Sequence, residues 1–313
     1  MGKHWGVWAA ALLLAVSVAG CGEKALDAPA KVAIDPAFEA EQQQWRQQRY
    51  EELHAADGWT SLVGLHWLEY KAHYIGRGPG SGIRLAVGPD KLGMVAREGD
   101  IVWFTPERGV AMQVDGKPVT GRIRFFSDRD PTPTIVAFDD GKGRLSLIHR
   151  GERFALRVKH ADAPSRTNFT GLTYWPGGAS WRVTARFVPH PAGKTLPIVD
   201  ITGLTTNMPN AGALEFERDG RTWRLEAIGE PGRALFVIFG DRTSGHGSYP
   251  AGRYLDLPAP DDQGRVVIDF NQAYNPPCAF TPFATCPLTP PENRLDLRVD
   301  AGEQAYHAPE GEA

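Results

Sequence analysis

The chain has 313 residues, a formal net charge of -3, 42% hydrophobic and 23% charged residues. That balance supplies enough apolar side chains for a sizeable core and excludes general disorder. The lack of net positive charge excludes the basic field on which nucleic-acid binding rests, so no nucleic-acid partner is expected.

In chain order, Lys3 and His4 stand before an apolar run from Trp5 to Val18, and the small residues Ala19 and Gly20 lead into Cys21. At roughly 14 residues the run is shorter than the about 20 that a bilayer-spanning helix needs, and it reads as the core of an export signal over residues 1–20. Val18-Ala19-Gly20-Cys21 resembles the lipobox of bacterial lipoproteins. The resemblance implies that the Cys21 thiol takes a diacylglyceryl group and that the new amino terminus is acylated in turn. Two or more acyl chains hold a protein stably on a bilayer where one does not, so membrane lipid is the partner expected at Cys21. Gly22, in place of Asp, implies the periplasmic face of the outer membrane by the sorting rule of such lipoproteins in Gram-negative cells. Residues 21–35 mix Ala, Pro and charge without a period and read as a tether.

Asp35-Pro36 predicts a helix start, because Asp can accept from free first-turn amides and Pro tolerates the first helical position. Phe38, Trp45 and Leu53 then fall at helical spacing among Glu, Gln and Arg, which predicts an amphipathic helix with one apolar stripe. Beyond Gly58 the pattern changes to short alternating or apolar runs broken by Gly, Pro and Asp. Strands are predicted within 83–87, 101–104, 123–126, 134–138, 144–149, 154–159, 181–188, 213–218, 221–227, 234–239 and 266–270. Asp115-Gly116, Asp140-Gly141 and Asp219-Gly220 are hairpin turns by composition, since Gly supplies the positive φ of tight primed turns. The expected fold is mainly β: the helix and a small β-sandwich over 36–122, a larger antiparallel β domain over 123–306, and a tail over 307–313.

The run from Leu68 to Arg77, then Ser81-Gly82-Ile83-Arg84-Leu85 and Val114-Asp115-Gly116-Lys117-Pro118-Val119, resembles the strand order of a forkhead-associated β-sandwich. The Ser and His that such domains use to grip a phosphothreonine have no clear counterpart, so the resemblance implies the sandwich and not the ligand.

The densest segment runs from Asp269 to Leu295. Its prolines rule out a helix and remove ladder donors, which predicts a stiff, extended crossing with Asp269, Asn271, Tyr274, Glu292, Asn293 and Arg294 along it. With Gly64-Leu65-His66-Trp67-Leu68, Asn168-Phe169-Thr170-Gly171-Leu172 and Tyr249-Pro250-Ala251-Gly252-Arg253-Tyr254-Leu255, it resembles the bacterial family called domain of unknown function 1684. That family carries no established activity, and the resemblance implies kinship alone.

Cys278 and Cys286 stand eight positions apart in a chain read as exported. A disulfide closing so short a loop contributes about 2 to 3 kcal/mol in the chain-entropy model and is the expectation. A free thiol pair and a metal site are the alternatives, the spacing being wider than that of common zinc knuckles. His66, Glu69 and His73 would share a face only in a helix, and the neighbouring residues favour β structure, so no metal site and no cofactor are expected. The polar loop Asp241–Ser248 reads as a connection or, with Arg242 or Arg253 adding charge, as an anion cradle of backbone amides. It lacks the Gly-Lys-Ser/Thr of a phosphate-binding loop, and no Gly-x-Ser-x-Gly, Ser-x-x-Lys or His-Glu-x-x-His occurs, so a Ser-His-Asp site would have to be assembled from distant residues such as Ser244, His246 and Asp269.

Three functions are open on these residues, the last in rank being a redox protein that uses Cys278 and Cys286, whose spacing is not Cys-x-x-Cys. Of the first two, one is an envelope module that binds a small ligand or an envelope protein through Arg253, Tyr274, Asn275 and Arg294. The other is an envelope hydrolase with Asp269 or Glu292 as acid or base and Arg294 steadying charge, His66 being a further candidate.

Overall fold

Residues 1–2 and 35–308 are described by the computed structural model. The export signal, Cys21 and the tether expected from the sequence lie outside the described residues, as does the end of the tail.

Helix α1 spans Pro36–His54 and begins as its sequence dictates, with the Asp35 carboxylate accepting from the Ala37 amide at 2.9 Å and Pro36 in the first turn. Phe38 and Leu53 are buried, and between them the buried position is the polar Gln42. Gln42 donates to Asp269 at 2.9 Å, Glu41 pairs with Arg182 at 2.7 Å, and Arg49 pairs with Glu303 at 2.9 Å. The helix is therefore bound by charge and hydrogen bonds to the C-terminal half of the chain, and Trp45 is left half-buried.

The first two sheets form a sandwich. Its strands are β1 (Leu62–Trp67), β2 (Ala72–Gly76), β3 (Ile83–Arg84), β4 (Gly93–Glu98), β5 (Ile101–Pro106), β6 (Met112–Val114), β7 (Lys117–Pro118), β8 (Ile123–Arg124), β9 (Ile135–Phe138), β10 (Gly143–Arg150) and β11 (Arg153–His160). One sheet has the order β1-β11-β10-β9-β6-β7 and the other β3-β2-β4-β5-β8. Ile75, Val95 and Phe104 of the β3-β2-β4-β5-β8 sheet share one buried cluster with Phe138, Leu147, Leu156 and Val158 of the other, so the sheets pack face to face. The hairpin β10–β11 supplies the partner of β1, pairing Leu65 with Arg157 and His66 with Leu156. Residue 122, expected to close the sandwich, consequently lies inside it, and the sandwich extends to His160. The two-residue turn Asp115-Gly116 has φ of 51° and 72°, the doubly positive geometry its composition predicts.

After the short helix α2 (Pro164–Thr167) come β12 (Arg182–Pro189), β13 (Thr195–Val199), β14 (Thr205–Arg218), β15 (Arg221–Ile228), β16 (Leu235–Phe239), β17 (Arg253–Leu257) and β18 (Arg265–Asp269). They form the antiparallel sheet of the C-terminal half, hereafter the second sheet, in the order β17-β16-β15-β14-β12-β18, with β13 paired to β14. Leu214, Phe216, Leu225, Val237, Phe239, Leu255, Ile268 and Phe270 build its core. The chain then leaves the sheet, as its prolines require, and continues, largely buried or half-buried, in single 3-10 turns at Phe270–Gln272, Pro277–Ala279 and Pro291–Asn293. Near the expected tail, Val299 and Ala301 are buried within this core and Glu303 is buried beside it.

Candidate functional site

Strand alternation determines what faces the site. In β11, Phe154, Leu156 and Val158 point into the sandwich, so Arg157 and Lys159 stand on the outer face of the same sheet, where Arg150 of β10 also stands. Against that outer face packs the proline-stiffened segment 276–287, with Leu62, Ala284 and Cys286 buried together and Trp59, Cys278 and Phe283 beside them. Trp45, Gln48, Arg49 and Glu52 from α1 close one side, and Phe236, Tyr254, Asp256 and Tyr274 close another. The cleft between them, open on one side, has a volume of about 690 Å³, within the range of small-molecule sites.

Its walls combine aromatic rings with three arginines whose surroundings differ. Arg49 donates to the buried Glu303 carboxylate at 2.9 Å and to the Asn275 carbonyl at 3.0 Å. Arg150 pairs with Asp128 at 2.7 Å and donates to the Thr285 hydroxyl at 3.3 Å. The Arg157 side chain makes no hydrogen bond or ion pair with any described residue; its Nε is buried without an acceptor, and its guanidinium lies 5.2 Å from the Trp59 ring centroid. Burial, and after it the like charge of Arg150, pull the Arg157 guanidinium below its ordinary pKa. Asp256 accepts from the Tyr274 hydroxyl at 2.8 Å, and Glu52 accepts from Gln48 at 3.1 Å. Burial holds both Tyr254 and Tyr274 far above the ordinary phenol value, so both stay neutral donors; the Tyr254 hydroxyl is held by the Pro287 carbonyl at 2.6 Å.

Cys278 and Cys286 are adjacent free thiols, with the Cys278 amide donating to Cys286 Sγ at 3.0 Å. Cys286 belongs to the cavity wall. A hydrogen bond between the two side chains lets the first proton leave Cys278 more readily than from an ordinary thiol, and holds the second far more tightly on Cys286.

Of the side chains singled out in the sequence, Tyr274 lines this cavity and most of the others hold the fold together. Asp269 is buried and accepts from Gln42, from Arg182 Nε at 2.9 Å, and from the Asn271 amide and side chain at 3.0 and 2.7 Å. Asn271 clasps the backbone of Gly178, accepting from its amide at 2.8 Å and donating to its carbonyl at 3.0 Å. A Cβ on the neighbouring Gly177, whose φ is +63°, would meet Asn271 Oδ1 at 2.2 Å, so glycine is required there. Arg253 is fully buried, and Asn293 is tied to β15 and β16. Asn275 donates its amide to Glu303 at 2.7 Å. Glu292 and Arg294 are exposed and belong to no wall of the cavity. His66, opposite Leu156, lies on the other sheet face from Arg157, and burial lowers its pKa.

His66 and His73 fall on strands of different sheets, with Glu69 in the turn between, so the shared helical face is not formed. The loop Asp241–Ser248 is closed on itself: Asp241 accepts from the Thr243 hydroxyl at 2.9 Å, and Thr243 bonds Ser248 at 2.7 Å. Asp269 is engaged elsewhere and forms no hydrogen bond with Ser244 or His246.

The sequence reading missed Arg49, Arg150, Arg157, Trp59 and Glu303. The available signal for Arg157 was the alternation of β11 itself, in which a long cation takes the outward position between two apolar ones; nothing local marks that face as covered.

An uncharacterized protein of Haloarcula marismortui, solved in solution by NMR, is 34% identical over 44% of this chain and 78% of its own, with a TM-score of 0.37. Among curated proteins none matches the chain. The sequence profile described as protein of unknown function DUF1684 matches residues 167–304, from the end of α2 through the second sheet to the residues around Glu303. Tyr254, Tyr274 and Cys286 fall inside the matched residues, and Trp59, Arg150 and Arg157 outside them. On its C-terminal half the chain belongs to the DUF1684 family.

Proposed function

We propose that this protein is a binding module for a small anionic molecule with a planar or apolar body, held in the cavity between α1, the sandwich and the second sheet. The observation that carries the reading is Arg157, a cation in the wall with no acidic partner, whereas Arg49 and Arg150 each have a carboxylate. A buried charge without a partner lowers stability, and a ligand anion would supply the missing counter-charge. Trp45, Trp59, Phe236 and Tyr254 offer rings for the rest of the ligand.

The test is calorimetric titration of the full chain in detergent with benzenesulfonate, which stays ionised throughout the working pH range, for wild type and Arg157→Met. Loss of charge-assisted hydrogen bonds should weaken binding by roughly 10- to 100-fold. Because Met replaces an unpaired charge with an apolar chain, the variant should melt no lower than wild type. Undiminished affinity in the variant would remove Arg157 from the site and the reading with it.

The module is also proposed to sit on the envelope membrane through acylated Cys21, on the grounds of the lipobox-like sequence before it. Expected on Cys21→Ser is a shift of the protein from the detergent phase to the aqueous phase in a phase-partition assay, with loss of the acyl mass in the intact-protein spectrum. A variant that still partitions with detergent and keeps that mass would exclude Cys21 as the anchor.

A further inference from the structure

We propose that Cys278 and Cys286 form a dithiol/disulfide couple in the cavity wall that sets how tightly the cavity holds an anion, the disulfide form binding more tightly. This rests on the reading of the cavity as an anion site. The geometry supplies the couple: Pro276, Pro277, Pro282 and Pro287 stiffen the loop, and the Cys278 amide lies 3.0 Å from Cys286 Sγ. Cys286 shares the cavity wall with Arg157, and Cys278 is half-buried, with its carbonyl accepting from the Tyr249 hydroxyl at 3.3 Å.

The coupling follows from charge. Arg157 lies close enough for its charge to act on both thiols, with Asp200 facing Cys278 and the hydroxyls of Tyr249 and Tyr254 near the pair. Around Arg157 itself stand Arg150 and Asp128. Tyr249 and Tyr254 have raised pKa values, burial being the first cause for each, whereas that of Cys278 is lowered, so neither phenol ionises before Cys278. In the dithiol form the first thiolate to appear is therefore an internal counter-ion for Arg157 and competes with the ligand anion. Oxidation proceeds by exchange: one cysteine thiolate attacks an incoming disulfide and releases one thiol, and the second cysteine displaces the other. Two electrons pass to the incoming disulfide, which leaves as two thiols carrying the two protons. The product carries no charge at any pH, and Arg157 is left to the ligand.

The experiment titrates the full chain in detergent with benzenesulfonate after oxidation with glutathione disulfide or reduction with a phosphine, at pH 6.5 and pH 8.5. Alkylation and intact mass report the cysteine state. Expected is a disulfide after oxidation, with the reduced protein binding about tenfold more weakly than the oxidised at pH 8.5 and by a smaller factor at pH 6.5, where less of the thiolate is present. The Cys278→Ala/Cys286→Ala variant should bind alike under both treatments and at both pH values. Equal affinities of the oxidised and reduced wild type at pH 8.5, or two free thiols persisting after oxidation, overturn the proposal. If Arg157→Met abolishes binding while oxidation changes nothing, the coupling alone falls. If Arg157→Met binds as wild type does, the anion site falls and takes the coupling with it.

Discussion

Replacing Asp241 with Ala lowers the unfolding free energy by about 3 to 5 kcal/mol, because it strands a guanidinium in the core of the second sheet. Arg253 is wholly buried and Asp241 almost so. The Asp241 carboxylate accepts from Arg253 at 3.2 Å, from the Val299 amide at 2.8 Å and from the Thr243 amide at 3.1 Å. Arg253 in turn donates to the carbonyls of Val299, Ala301 and Glu303. Burial pulls the guanidinium pKa down and the carboxylate opposes that pull, so without Asp241 the guanidinium donates only to neutral oxygens, with Glu303 and Asp300 left to act on it without a hydrogen bond. Removing both charges together is less damaging than removing the acid alone, since Asp241→Leu/Arg253→Met leaves neither a buried ion nor a large void. Urea denaturation of the two single variants and the double variant decides the matter. A loss below about 1 kcal/mol in Asp241→Ala would show that the pair does not hold the fold.

The same clamp connects the fold to the cavity. Arg253 fixes the 299–303 backbone, which carries Glu303; Glu303 fixes Arg49 and the Asn275 amide, and with them the α1 side of the cavity and the start of the proline segment. Arg253 therefore affects the cavity through positions several bonds away and does not line it.

The β architecture was legible because period-two alternation and Asp-Gly turns are local signals. Every run read as a strand overlaps one, and Asp219-Gly220, with φ of 52° and 71°, closes β14 onto β15 as its composition predicts. The extent of the sandwich was not legible, because the pairing of β1 with β11 joins segments about 90 residues apart and leaves no mark in either. The helix stripe was read from Phe38, Trp45 and Leu53, yet Gln42 is buried and Trp45 is not fully so, because the surface under the helix presents Asp269 and a cavity in place of a continuous apolar floor.

For the candidate site, a dense polar segment was visible and its role was not. Polar residues among prolines suit a binding surface and equally suit a chain that must satisfy its own backbone without a strand partner. The structure puts Asp269, Asn271 and Asn293 in the second class. The cavity draws on helix, sandwich and second sheet, and side chains so dispersed share no spacing that a sequence pattern can record.

Asn293→Ala separates the two roles most sharply. Strands β15 and β16 pair at Ile228 and Phe236 and then part, and Asn293 fills the gap between them. Its Oδ1 accepts from the Glu226 amide at 2.6 Å, and its Nδ2 donates to the carbonyls of Glu226 and Ile238, each at 2.9 Å. Alanine leaves one amide and two carbonyls without partners in a buried place. At about 1 to 3 kcal/mol for each, reduced where water can enter the space left, the expected loss is about 3 to 4 kcal/mol. Asn293→Asp keeps an acceptor for the Glu226 amide but turns a charged oxygen toward two carbonyls, so it should be no more stable than the alanine variant. Faster amide exchange at Glu226, read alongside urea denaturation, should locate the loss between the two strands. Were Asn293 a ligand-binding group, both variants would keep near wild-type stability and lose affinity for benzenesulfonate. Its three bonds to neighbouring strands predict the reverse order of effects, with stability falling first.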